Sequence, residues 1–158
     1  QVDTIDDIAE LYLDLREFEQ AGKNLEDCRV LISPEFNLLD AKDEPRPGEV
    51  YWFSLAKIQM REGMMKIQMA RQSAPHNILQ VANGIRCMLS SFVYFRLFSE
   101  LPSYLEQKAR EIVTLLKESD VPGELVSVEF KQILGEYGFD LSTLRSTLSK
   151  EYTYENFS

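Results

Sequence analysis

Residues 87–98 read CMLSSFVYFRLF, and no other stretch limits the fold as much. Nine of these twelve side chains are apolar or aromatic, and the only charge is Arg96. The run continues a spacing of three and four residues that begins earlier, through Ile78, Val81, Ala82, Ile85, Leu89 and Phe92, which is the period of a helix. A strand over 92–98 is the rival reading, because aromatic side chains suit strands. The unbroken period from Ile78 favours the helix. Met88, Leu89, Phe92, Val93, Tyr94, Phe95, Leu97 and Phe98 then cover almost its whole circumference. Large contiguous apolar patches are rare on a monomer's surface, and burying each large apolar side chain is worth about 1.5–3 kcal/mol. Such a helix is expected as the central rod of a bundle or at a subunit interface.

The segment before it raises the same demand. Residues 49–72 form a long predicted helix with two apolar stripes, Tyr51, Leu55, Ile58, Met65 and Met69 on one side, Phe53, Ala56, Met60, Met64 and Ile67 on the other. At 100° per residue the two stripes lie nearly opposite each other. Ser54, Lys57, Arg61, Gln68 and Gln72 form a polar strip between them. A helix that is apolar on two sides is packed from two sides. Its methionines suit a core or an adaptable partner groove. Gly63 costs roughly 1 kcal/mol against alanine inside a helix and marks either a close helix crossing or a weak point.

The expected fold is all-α, a bundle of five or six helices with two long central apolar helices at 49–72 and 75–101, Pro75 standing at or near the first helical position. Further helices are predicted over 4–21, 24–32, 103–118 and 125–137, with a last one capped by Asp140 or Ser142. The first opens on Thr4 followed by Asp6 and Asp7, a variant capping box whose acids favour the positive end of the helix dipole. It carries Ile5, Ile8, Leu11, Leu15 and Phe18 on one face and is stopped by Gly22. Residues 40–48, with two prolines, a glycine and alternating charge, read as a loop and a candidate hinge within a single domain spanning 1–158. The tail at 152–158 is expected to fray or to dock by its aromatics.

Seven glycines and six prolines are few for a turn-rich β architecture. The formal charge of -9 is unevenly spread. Residues 1–44 hold thirteen acids against four bases, net -9; 45–97 hold seven bases against two acids, net +5; 98–158 hold eleven acids against six bases, net -5. Acidic ends folding back over a basic middle is one reading of this pattern; a basic middle meeting an acidic partner is the other. Cys28 and Cys87 show no metal-type spacing and are read as small apolar residues in a reducing, intracellular compartment, cytoplasmic or nuclear. Arg86, Arg96 and Glu100 interrupt the longest apolar stretches and argue against a membrane span.

Little here carries catalytic chemistry. His76 is the only histidine, so no His-based triad or multi-His metal site can be built within this chain. No phosphate loop, dinucleotide fingerprint or paired CxxC is present. Glu62 and Glu129 are the only carboxylates worth naming as inward acids, and both are expected to be exposed. The chain is therefore read as non-enzymatic, without metal or cofactor. Its expected role is a protein-interaction or scaffold subunit, binding a partner chain or a copy of itself through Trp52, Phe53, Met60, Met64, Phe92, Tyr94, Phe95 and Phe98. The alternative is a nucleic-acid-associated subunit using Lys57, Arg61 and Arg71, a thin basic patch for phosphate contacts. The stretch from Ile85 through Arg86 and Phe92 to Arg96 and Leu97 resembles a helix of the GINS replication complex subunits. That resemblance covers about a dozen residues, implies only a helical subunit packed against a sister subunit, and assigns no family.

Overall fold

A computed structural model describes residues 48–73, 77–137 and 140–157. The expectations placed on 4–21, 24–32, His76, Cys28 and all of the 40–48 loop except Gly48 lie outside the described residues. The described part is all-helical: α1 Val50–Gln72, α2 Ile78–Phe98, α3 Pro102–Glu118, α4 Gly123–Tyr137 and α5 Ser142–Glu151, with no strand among the described residues.

Helices α1 and α2 form a closely packed antiparallel pair. Of the two stripes on α1, the one bearing Ala56, Met60 and Ile67 turns inward and is buried, and Phe53 and Met64 pack against the same core. The crossing is set by two glycines facing each other. A Cβ on Gly63 would lie 2.6 Å from the carbonyl oxygen of Gly84 and 2.5 Å from Met88 Cγ. A Cβ on Gly84 would lie 2.8 Å from the Gly63 oxygen and 2.7 Å from Ile67 Cγ1. Neither helix could carry a side chain there at this separation. Gly63 is thus a packing residue, and the helix propensity it forfeits is offset by the close approach it permits.

The run CMLSSFVYFRLF proves to be helix. Met88, Leu89, Phe92, Val93 and Phe95 are each no more than 1% exposed. The rod is enclosed by α1, α3 and α4, all of which pack on α2. By length and composition alone α2 would also suit a membrane span. Asn77 opens the helix, its side-chain oxygen accepting the Gln80 N–H at 3.2 Å. It ends at Phe98, three residues short of the expected boundary, because Leu101 precedes a proline. That position is driven out of the helical region, and Leu101 sits at φ -63°, ψ 123°.

Helix α3 starts with Pro102 in its first turn, where a missing N–H costs nothing. It buries the face expected of it, Leu105, Ala109, Ile112, Val113 and Leu116. Helix α5 packs on α3 and α4 packs on α2. Asp140 helps to start α5, its carboxylate accepting the Ser142 N–H at 3.0 Å; this bond holds the Asp140 carboxyl below its usual range. The tail docks. Phe157 is 2% exposed and lies edge-on to Phe130 at 5.9 Å between ring centroids, while the Ser127 hydroxyl donates to the Asn156 carbonyl. Gly123 is the seat for this tail, since a Cβ there would meet Tyr152 Cδ1 and Glu155 Cγ at 2.9 Å.

Candidate interaction surface

The eight residues expected to meet a partner divide by burial. Phe92, Phe95 and Met60 belong to the chain's own core. Phe53, Met64 and Tyr94 are partly buried and packed against it, and Trp52 and Phe98 are half-buried. The aromatic members gather where the start of α1, the end of α2 and the start of α3 meet. Trp52 stacks on Tyr94 with centroids 6.2 Å apart and planes 8° from parallel. Phe53 packs on Phe98 at 5.3 Å and on Phe95 at 6.2 Å.

An internal cation occupies this aromatic end. Lys108 Nζ lies 5.1 Å from the Phe95 ring centroid, 5.4 Å from Tyr104 and 5.9 Å from Phe53. It also pairs with Glu111 at 3.2 Å, and its side chain is 15% exposed. Ammonium over several ring faces is an attraction that strengthens as water is excluded. These rings therefore tie α3 to the α1–α2 pair. Burial pushes the Tyr104 hydroxyl up to about 12, the Glu111 carboxylate adding to it.

The basic side chains of the middle third are largely engaged within the chain. Lys66 pairs with Glu62 at 3.6 Å, Arg86 with Glu129 at 3.0 Å, and Arg96 donates to the Asp140 carbonyl. Lys57 lies over the Phe53 ring at 5.5 Å and Arg61 reaches Met64 Sδ at 3.8 Å. Arg71 is exposed at the far end of α1. Glu129 corrects an expectation. It is 8% exposed rather than solvated, because Arg86, on the facing helix α2, supplies its counter-charge. Glu62 is half-buried in an ion pair with the next turn of its own helix.

The opposite end of the α1–α2 pair carries a different surface. The first turn of α2 exposes Ile78 at 65% and Leu79 at 71%, and Met69 in the last turns of α1 is 39% exposed. Beside them lies a cleft of about 490 Å³ walled by Ile78, Val81, Val121, Pro122 and Leu125, with Arg71 and Asp120 among its charged residues. The periodicity placed Ile78 on the inward stripe; in the structure it lines the cleft beside Val121, Pro122 and Leu125 and is 65% exposed. Leu79 was not singled out. The adjacent apolar pair Ile78–Leu79 was the available signal, since neighbours 100° apart cannot both sit at the centre of one narrow buried stripe. Among the described residues no group of three or more His, Cys, Asp or Glu stands close enough to hold a metal ion. Comparison with known protein families, with curated proteins and with solved structures finds no match to this chain.

Proposed function

We propose that this chain is a non-enzymatic interaction or scaffold subunit, a helical bundle that docks a protein partner on the apolar cleft at the α1–α2 tip. The exposure of Ile78 and Leu79 beside that cleft carries the reading. Two branched apolar side chains held in water on a rigid helix end gain about 1.5–3 kcal/mol each when a partner covers them. The rim charges Arg71 and Asp120 would orient what docks without dominating its affinity.

The test is the absolute mass in solution, by light scattering after size exclusion, at low and high salt. A copy of the chain docked through this cleft gives a mass above one chain that survives high salt, and Leu79→Asp returns it to one chain. A mass of one chain at both salts, unmoved by Leu79→Asp, counts against self-docking. Titrating a candidate partner against the wild-type and Leu79→Asp proteins then decides the heteromeric form, where equal affinities would refute the cleft as the site. Phosphate contacts would instead weaken steeply with salt.

A further inference from the structure

The cleft at the α1–α2 tip and an apolar side chain of the kind that fills such a cleft stand side by side on one chain. Leu79 is 71% exposed in the first turn of α2, and its neighbour Ile78 belongs to the cleft wall together with Val121 and Pro122. The charges there are balanced. Arg71 in the last turn of α1 and Asp120 just past α3 both line the cleft and are both exposed. Among the described residues neither is held in an ion pair. An exposed apolar side chain, a hollow, a cation and an anion in one patch are what a two-fold contact requires, because such a patch must be complementary to itself.

We propose that the partner docked on this cleft is a second copy of the chain, in a two-fold pair where Leu79 of each copy seats in the cleft of the other and Arg71 of each meets the partner's Asp120. The inference rests on the cleft being the docking site and adds which partner it takes. Charge selects the copy. At a formal -9 two chains repel at long range, so a dimer forms best where the local charges cancel, and the lining of this cleft holds one charge of each sign. Two-fold symmetry also makes every contact twice, so the gain from one buried leucine and the attraction of one rim pair are each doubled.

The test follows the mass of the full chain by sedimentation equilibrium over rising concentration at low salt. The wild type is expected to pass from one chain to two. Arg71→Glu alone sets two like-charged pairs across the dimer and is expected to raise Kd about tenfold, as is Asp120→Lys. Mixed in equal amounts, the two variants are expected to restore the wild-type Kd, since in the mixed pair every rim charge again faces its opposite. High salt is expected to narrow the gap between each variant and the wild type. Circular dichroism checks folding. Asp120 holds a left-handed φ of 53°, so Asp120→Lys is the variant at risk; if it does not fold, Arg71→Glu on its exposed helix end decides alone, and an unchanged Kd overturns the pairing. A wild type that stays one chain at every concentration overturns the second copy, while the cleft itself still stands or falls by titration of a different partner against Leu79→Asp. A dimer that withstands Leu79→Asp, or one that mixing the reversed variants does not restore, overturns the inference as well.

Discussion

Replacing Gly63 by alanine sets two opposed effects against each other, and the structure says which wins. Propensity alone favours alanine by about 1 kcal/mol inside a helix. At the crossing, however, the new Cβ would sit 2.6 Å from the Gly84 carbonyl oxygen and 3.0 Å from the Met88 N. Those are backbone atoms, which no rotamer change can move. Ordinary contact lies about 0.8 Å further out than the Gly84 oxygen, so the two axes must separate along the most extensive packing among the described helices. Overpacking of this kind costs about 1–3 kcal/mol, and with rigid neighbours the upper part of that range applies, leaving a net loss of about 2 kcal/mol. For a chain of this size, that lowers Tm by about 4–8 °C. Gly84→Ala should behave alike. Because the two sites touch, the double variant should cost less than the sum, the first Cβ having already parted the helices. Gly135 is the internal control. It lies in α4 with nothing within 4 Å of an added Cβ, so Gly135→Ala should gain up to about 1 kcal/mol. Thermal unfolding followed by circular dichroism reads all four. A Gly63→Ala protein as stabilised as Gly135→Ala would refute the close crossing.

Three further outcomes follow from named contacts. Arg86→Met should destabilise by about 1–3 kcal/mol in urea unfolding, because it strands Glu129 at 8% exposure; pairing it with Glu129→Leu should recover most of the loss, and no recovery would mean that the ion pair is not what holds the site. Phe157→Ala should cost about 2–3 kcal/mol through lost burial against Phe130, whereas Tyr154→Ala, at a fully exposed position, should change stability by less than about 0.5 kcal/mol; equal effects would undo the docked tail. Burial raises Tyr104 and Tyr152 from 10.0 to about 12, with Glu111 adding at the first and Glu151 and Asp120 at the second. The folded state thus holds those protons more tightly, so the stability they contribute is whole below about pH 10 and is lost as pH rises from 10 to 12. The Tyr104→Phe, Tyr152→Phe double variant should shift the alkaline unfolding midpoint upward, and an unchanged midpoint would refute the assignment.

The helices themselves were legible because their signals are local. The period from Ile78 to Phe98, the proline opening α3 and the glycine-bounded α4 each act within a few residues. The inward face of α3 was legible for the same reason. Glu129 was not, because its partner Arg86 stands 43 residues away in the chain. A lone carboxylate on a helix, even one flanked by Val128 and Phe130, reads as solvated until the facing helix is known. The tail was equally non-local: Phe157 finds Phe130 and Tyr152 only once α4 and α5 are in place.

The surplus of apolar surface that first suggested a subunit interface has a partial internal answer. Two apolar-rich helices in succession looked too much for the remaining helices to cover. Gly63 reads from the sequence as either a close helix crossing or a weak point. Opposed to Gly84 it is the close crossing, drawing α1 and α2 close enough that each covers much of the other. Among the described residues, large apolar side chains stay exposed at Val50, Leu101 and Val128 as well as at Ile78 and Leu79. On the outer stripe of α1, Ile58 is buried while Met69 is 39% exposed. At the tip, Ile78 and Leu79 are 65% and 71% exposed, and the proposed docking site rests on that exposure. Periodicity shows which side of a helix is apolar but not which turn its neighbours leave exposed, and an exposed apolar turn is where a partner has something to bury.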